Sequence, residues 1–351
     1  MKEKEKIFKL FAHNIPVKGA RRSTVCDLQR GEYHFIPNTL YELLTIHKNQ
    51  SIGSIKSKYD SDHHPVIDEY FDFLFEKELG YFTHHPDYYP DLDLSWRNSS
   101  EFTNAIIDIS SDSNHPFDRI SKEFDQIGVS AVQVRFFDAI DQAKIESVIQ
   151  TLSKGRILSI DLIIPFEESL TEKEAKRIVS KYQRISYLVI HGAPEQKVVK
   201  HDKLSTNIIF MTKKVTDESH CGEINPANFY VNTELFSESQ VYNSCLNRKI
   251  SIDRFGQIKN CPSLIDSFGN IQETTLLEAA QEQKLKKLWN VTKDAVEVCK
   301  DCEFRYICTD CRAYTEDNNS NNAKPSKCSY DPYTAEWQES EMFALNRKEN
   351  E

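Results

Sequence analysis

AVQVRFFDAIDQAKIESVIQTLSKGRILSIDLIIPF, residues 131–166, contains one complete strand–helix–strand unit. AVQVRFF and RILSIDLIIPF are apolar nearly throughout, as strands buried on both faces must be. QAKIESVIQTLSKG between them is an amphipathic helix. The same alternation continues outward in both directions. NAIIDIS is a strand, and PFDRISKEFDQIG is a helix stopping at Gly128. Beyond residue 166 comes a helix opened by the capping box Thr171-x-x-Glu174, then strands in ISYLVIHG and NIIFMTK. Apolar strands that each precede an amphipathic helix imply parallel βα units and an α/β fold. The units are too few for an eight-fold barrel. An open, partial βα barrel is therefore expected over 96–220.

Upstream, residues 1–95 read as a small domain of their own. RSTVCDLQRGEYHFI alternates apolar and polar positions around Gly31, a short hairpin. Asn38 is placed to cap the helix TLYELLTIH. SIGSIKSKYD is a second short helix. A third begins after Pro65, with Ile67, Tyr70, Phe71 and Leu74 on one face, and is expected to stop at Gly80. With a trailing YFTHH strand, this is a winged-helix-like pattern. PDYYPDLDLSWRNSS has turn residues and little periodicity, and marks a linker near 86–100.

Composition narrows the function classes. The chain has 351 residues and a net charge of −10, which disfavours nucleic-acid binding, since that depends on a basic footprint. No apolar run approaches the ~18 residues of a membrane span, and MKEKEKIFKLF lacks the apolar core of a secretory signal. A cytoplasmic protein without membrane or nucleic-acid partners is expected.

The nine cysteines are unevenly placed. Cys26 stands alone on an alternating strand, as a small core residue does. The others are Cys221, Cys245, Cys261, Cys299, Cys302, Cys308, Cys311 and Cys328. In a reducing compartment such clustering implies metal ligation rather than disulfides. KISIDRFGQIKN reads as a hairpin turning at Gly256, which brings Cys245 and Cys261 together. VCKDCEFRYICTDC, residues 298–311, spaces four cysteines as C-x2-C-x5-C-x2-C. Two-residue knuckles direct amides toward bound sulfurs. Eight thiols suffice for two four-thiolate sites, and zinc and iron–sulfur clusters both accept such a set.

The order C-x10-G-x4-C, C-x2-C-x5-C-x2-C and a final cysteine resembles the SPASM domain of peptide-modifying radical-SAM enzymes. The last spacer holds only Thr309 and Asp310, one residue fewer than the family's usual three. The resemblance implies two [4Fe–4S] clusters in a domain over 221–335, followed by a polar tail, 336–351. The first cluster would be held by Cys245, Cys261 and Cys311, with Cys221 the candidate fourth ligand. The second would be held by Cys299, Cys302, Cys308 and Cys328. The family's C-x3-C-x2-C motif for S-adenosylmethionine chemistry has no counterpart, because no cysteine lies between Cys26 and Cys221. No S-adenosylmethionine cofactor and no cleavage of that molecule are therefore expected.

PVKGARRSTVCDLQRGEYHFIPNTLYELL, CLNRKISIDRFGQIKNCPS and KDCEFRYICTDCRAY together look like the peptide maturases of the grasp-with-spasm systems. That narrower resemblance implies two partners, a ribosomal precursor peptide and an ATP-grasp ligase. The chain would be the maturase or its accessory subunit. Lys18, Arg21, Arg22 and Arg30 make the N-terminal strand region basic and are candidates for binding the leader. His191, at a strand's C-terminal end, is the one candidate catalytic side chain. The His63-His64 and His84-His85 pairs precede prolines and read as turn or cap positions. Two alternatives stand beside this reading: a stand-alone iron–sulfur redox enzyme, and a zinc-binding adaptor for the ligase.

Overall fold

The structure, a computed structural model, describes residues 6–139, 141–201, 204 and 206–338. From residue 339 onward the expected polar tail lies outside the described residues. Contacts divide the chain into two compact units. One comprises Met1–Arg97, Ile224–Ser244 and Asn290–Glu351, the other Asn98–Glu223 and Cys245–Trp289. The chain crosses between them after Arg97, after Glu223 and at two further points. The other two crossings split the cysteine-rich region, which was expected to be one domain, between the units.

The first unit begins with β1 (Ile7–Leu10), β2 (Asn14–Val17), β3 (Ser23–Asp27) and β4 (Glu32–Ile36). These are followed by α1 (Asn38–Ile46), α2 (Ile52–Lys56), α3 (His64–Glu76) and β5 (Gly80–Thr83). The expected hairpin is β3–β4, and β2 pairs antiparallel on its outer side. β1 and β5 form a separate antiparallel pair. Leu40, Leu43, Ile55, Ile67, Phe71 and Leu74 bury one face of each helix in a common core.

Two expectations need correction here. Asn38 does not cap α1; the cap position is Pro37. The Asn38 side chain accepts from Ser23 Oγ at 2.6 Å and donates to the Ala20 carbonyl at 3.0 Å. Tertiary partners thus outcompete the local cap. Gly80 does not terminate α3, whose last turn closes at Lys77. It opens β5 instead, where a Cβ would meet the Lys9 carbonyl oxygen at 2.3 Å. Its small size serves strand pairing, not helix ending.

The second unit is built on one sheet. Its elements run β6 (Asn104–Ile109), α4 (Phe117–Ile127), β7 (Ala131–Phe136), α5 (Gln142–Leu152), β8 (Ser159–Pro165), α6 (Glu172–Lys181) and β9 (Ile185–His191). Next come β10 (Lys197–Lys200) and β11 (Asn207–Met211). The chain passes through α7 (Thr233–Ser239) of the first unit and returns as β12 (Lys249–Ile252), β13 (Ile258–Lys259) and α8 (Leu276–Gln281). The eight strands are ordered β10-β11-β9-β8-β7-β6-β12-β13, parallel except at the two edge pairs. The sheet is open, with β10 and β13 at its edges. Every expected strand and helix between 104 and 211 is present; β10 was not anticipated. Gly128 ends α4 with φ +91°, a left-handed conformation that glycine adopts without strain.

The core is formed by apolar positions of β6–β9 and the buried faces of α4, α5 and α6, among them Ile107, Val134, Leu162, Phe124, Ile149 and Val179. Thr171 caps α6 by accepting from the Glu174 amide, but the Glu174 carboxylate turns to Arg177, so the expected box is half made. A complete box sits instead at Thr275–Glu278, opening α8. The hairpin around Gly256 is real, but it does not stand apart with the cysteines. β12 joins the central sheet beside β6, pairing Ile250 with Ala105 and Ile252 with Ile107.

The rest of the first unit has little regular structure apart from α7 and the short pair β14 (Tyr330–Asp331) and β15 (Glu336–Trp337). Its core gathers Val17, Cys26 and Leu28 with Ile224, Phe236, Phe304, Ile307 and Tyr330. The N-terminal sheet therefore shares a core with the segment 299–311 instead of forming a domain of its own.

Candidate metal centres

The hairpin places Cys245 just before β12 and Cys261 just after β13. Cys221, from the segment after β11, lies within electrostatic reach of Cys261, as does Cys245. Lys249 projects into this group, with Nζ 3.6 Å from Cys245 Sγ. Burial pulls the Lys249 pKa down, but Cys245, Cys261 and Cys221 together carry it upward. Burial pushes Cys261 up to about 12, against the pull of Lys249. The Ser263 amide, two residues on, donates toward the Cys261 sulfur.

The second group lies wholly in the first unit. Cys299, Cys308 and Cys328 act on one another electrostatically, and Cys302 lies within reach of Cys299 and Cys308. Burial raises all four: Cys299 to about 12, Cys308 to about 11, Cys302 well above the ordinary thiol range, and Cys328 upward. The Phe304 amide donates to Cys302 Sγ at 3.5 Å, and the Tyr330 amide donates toward the Cys328 sulfur. Lys293, 4% exposed, donates to the Cys308 carbonyl and has Cys308, Asp310 and Cys299 as the neighbours that raise its pKa against burial. Cys311 is buried in the same unit.

The chemistry of this donor set suits anionic sulfur. Amides aimed at sulfur stabilise thiolate over thiol, and metal ligation deprotonates a coordinating thiol outright. An ammonium beside each group, Lys249 half-buried and Lys293 buried, offsets the charge that ligation would create. Among the described residues, no three His, Cys, Asp or Glu side chains converge tightly enough, as they stand, to hold a metal ion. A single zinc ~2.3 Å from each sulfur would need a tight group. A multi-iron core spreads its thiolates over several metal atoms.

The backbone around the second group is strained. Val298, immediately before Cys299, has φ 66° and ψ −46°. Its turn is closed by the Cys299 amide on the Glu297 carbonyl at 2.7 Å, a three-residue γ-turn of the rare, costly hand. Glu303, between Cys302 and Phe304, is fully buried. Arg22 Nε and the Tyr330 hydroxyl both donate to its Oε1, at 2.8 and 2.5 Å. The Arg22 guanidinium also lies 3.5 Å from the Phe35 ring centroid.

This assignment corrects part of the basic peptide-binding patch. Arg22 is an internal anchor of the cysteine knuckle. Arg30 is also engaged, 2.7 Å from Glu78 and 3.7 Å from Asp27. Lys18 lies 3.9 Å from Glu42, and Arg21 is exposed. His191 is 3% exposed and both its ring nitrogens are occupied. Nε2 donates to the Phe136 carbonyl at 2.9 Å, and Nδ1 accepts from the Val215 amide at 3.2 Å. Burial lowers its pKa. It is a neutral structural residue with no free nitrogen for catalysis. Cys26, fully buried and pushed up to about 12 by that burial, is the core residue expected.

Sequence reading missed Lys249, Lys293 and Glu303. Each lies inside or beside a cysteine motif, but a charged residue between cysteines has no distinguishing pattern until the fold buries it. It also missed the Asp108–Arg135 pair, joined by two hydrogen bonds of 2.6 and 2.8 Å across β6 and β7. Cys221 and Cys261 lie within electrostatic reach of Arg135. At the carboxyl ends of β6, β7 and β12 lies a crevice of about 460 Å³, lined by Ser110, Asp112, His115, Asp138, Arg254 and Gln272. It stands where the chain order switches sides about β6, the position at which open α/β sheets place ligands.

No protein-family model matches the chain, and no curated protein matches it. Among solved structures, a crystal structure of SuiB from Streptococcus suis matches at 10% identity and a TM-score of 0.29, covering 92% of this chain and 98% of that one. SuiB bound to S-adenosylmethionine matches at 11% identity and a TM-score of 0.32, with the same coverage. Likeness this slight carries no argument. The functional reading therefore rests on this chain's own residues, above all on two thiol groups, each with an ammonium alongside.

Proposed function

We propose that this chain is a cytoplasmic maturation protein for a ribosomally made peptide, holding two [4Fe–4S] clusters and working with an ATP-grasp ligase without cleaving S-adenosylmethionine. One observation carries the reading: two separate sets of buried and half-buried thiols, each with an amide aimed at sulfur and an ammonium alongside. Cys245, Cys261 and Cys221 would hold the first cluster. Cys299, Cys302, Cys308 and Cys328 would hold the second. When bound, such clusters crosslink the chain and can relay electrons. The chain's own residues prepare the sites. Lys249 and Lys293 balance thiolate charge, and the Ser263, Phe304 and Tyr330 amides fix sulfur orientation. The loop after β6 offers serine, aspartate, asparagine and histidine where a third cluster would need cysteines. The partners follow from the resemblance to grasp-with-spasm maturases.

Metal analysis of anaerobically purified protein tests the reading. Two four-iron clusters require about eight irons per chain and a brown colour. Colourless protein holding zinc would replace the clusters with an adaptor role. Formation of deoxyadenosine from S-adenosylmethionine by this chain alone would overturn the exclusion of that chemistry.

A further inference from the structure

The five residues between Cys302 and Cys308, Glu303-Phe304-Arg305-Tyr306-Ile307, belong to two structures at once. Each flanking cysteine is a thiol of the second group. The residues between them complete the N-terminal sheet. β3 is buried along its whole length, so both of its faces need cover. Val25 packs into the helical core with Leu40 and Phe71, while Cys26 packs into the core that holds Phe304 and Ile307. Polar contacts join the same layers. Thr24 Oγ1 donates to the Glu303 carbonyl at 3.1 Å, and the Ala20 amide donates to the Asp301 carbonyl at 2.7 Å. Arg22 reaches the buried Glu303 carboxylate, and Arg305 Nη1 donates to the Lys18 carbonyl. The Phe304 ring centroid lies 5.5 Å from that of Tyr33 and 5.8 Å from that of Phe35. At Gly19 the approach is so close that a Cβ would stand 2.9 Å from Glu303 Cβ.

The cysteine segment has little regular structure with which to hold this position. Residues 290–329 contain no strand and no α-helix among the described residues. A metal core held by Cys299, Cys302, Cys308 and Cys328 would pin both ends of the spacer, and in small metal-binding folds ligation supplies the folding free energy. We propose that metal loading of the second thiol group orders the N-terminal sheet through residues 303–307, and that docking of the sheet in turn tightens the group's hold on metal. The proposal rests on the reading of that group as a metal site, not on which metal fills it or on any partner. Linkage makes the coupling reciprocal, since each event favours the other by the same factor. The first group, in the other unit, stands outside the coupled pair.

Hydrogen exchange of the full chain, followed by mass spectrometry, tests this. The protein is compared after reconstitution with ferrous iron and sulfide, after loading with zinc, and after stripping with a chelator. Stripping is expected to speed amide exchange in β2, β3 and β4 at least about tenfold, and reloading to reverse it. Cys261→Ser, which empties only the first group, should leave that sheet protected. In the Cys261→Ser background, where the second group alone holds metal, Arg22→Ala is expected to weaken retention against a competing chelator about fivefold. Thr24→Val, a milder change that also touches no thiol, should act in the same direction by a smaller factor. Equal exchange of the sheet in loaded and stripped protein would overturn the proposal, as would metal retention unaltered in both variants. Zinc uptake in place of iron, with the same gain in protection, would sink the cluster reading alone. Two iron clusters with no gain in protection would sink the coupling alone.

Discussion

Val298 is a β-branched residue held at φ 66°, a conformation that costs on the order of 1–3 kcal/mol outside glycine. The strain sits one residue before Cys299 and aims that thiol at its group. Val298→Gly should therefore be neutral or stabilising by about 1 kcal/mol, although the same change at an ordinary position destabilises. Urea unfolding of the metal-free chain checks this, and a clear loss of stability would remove strain as the explanation. Arg22 works at the same scale. Removing it as Arg22→Ala leaves Glu303 buried with only Tyr330 as donor. Breaking a buried pair costs about 3–5 kcal/mol, and the partial exposure of Arg22 reduces that to about 2. The double variant with Glu303→Gln should lose less than the sum of the two single changes. Strict additivity in a double-mutant cycle would show that the pair is not coupled.

Between elements, the register of β6 and β7 sets Asp108 opposite Arg135. Burial raises Asp108 to about 6 from an ordinary 3.8, with Arg135 pulling the other way. The folded chain therefore keeps a proton that the unfolded chain has already released. Its stabilising contribution is complete below about pH 4 and is lost as pH rises through about 6. Asp108→Asn should flatten this part of the profile, measured as denaturation midpoints at pH 4.5 and 7. Identical profiles for the two proteins would mean that Asp108 does not titrate in this window. The carboxylate and guanidinium are one residue each in otherwise apolar strands, so the pairing was invisible until the register was known.

For the whole molecule, the two thiol groups fall in different units, so their metal contents should separate. Cys299→Ser should remove about half of the iron and lower the stability of the first unit, while Cys261→Ser should remove the other half and weaken the second. Iron counts with thermal unfolding decide this, and loss of all iron from either single change would mean one shared centre.

What the sequence determined by itself was local. Apolar periodicity located every strand and helix from β6 through α6, the β12–β13 hairpin, and the cysteine motifs, because each depends on neighbours a few residues away. Tertiary structure decided the rest. It placed β12 in the central sheet, gave Asn38 and Gly80 different tasks from the expected cap and stop, and turned Arg22 from a surface cation into the partner of Glu303. It also brought Lys249 and Lys293 beside the thiols. Charge and burial are set by residues far apart in the chain, in the case of Arg22 and Glu303 by 281 positions, and no local pattern encodes such a meeting.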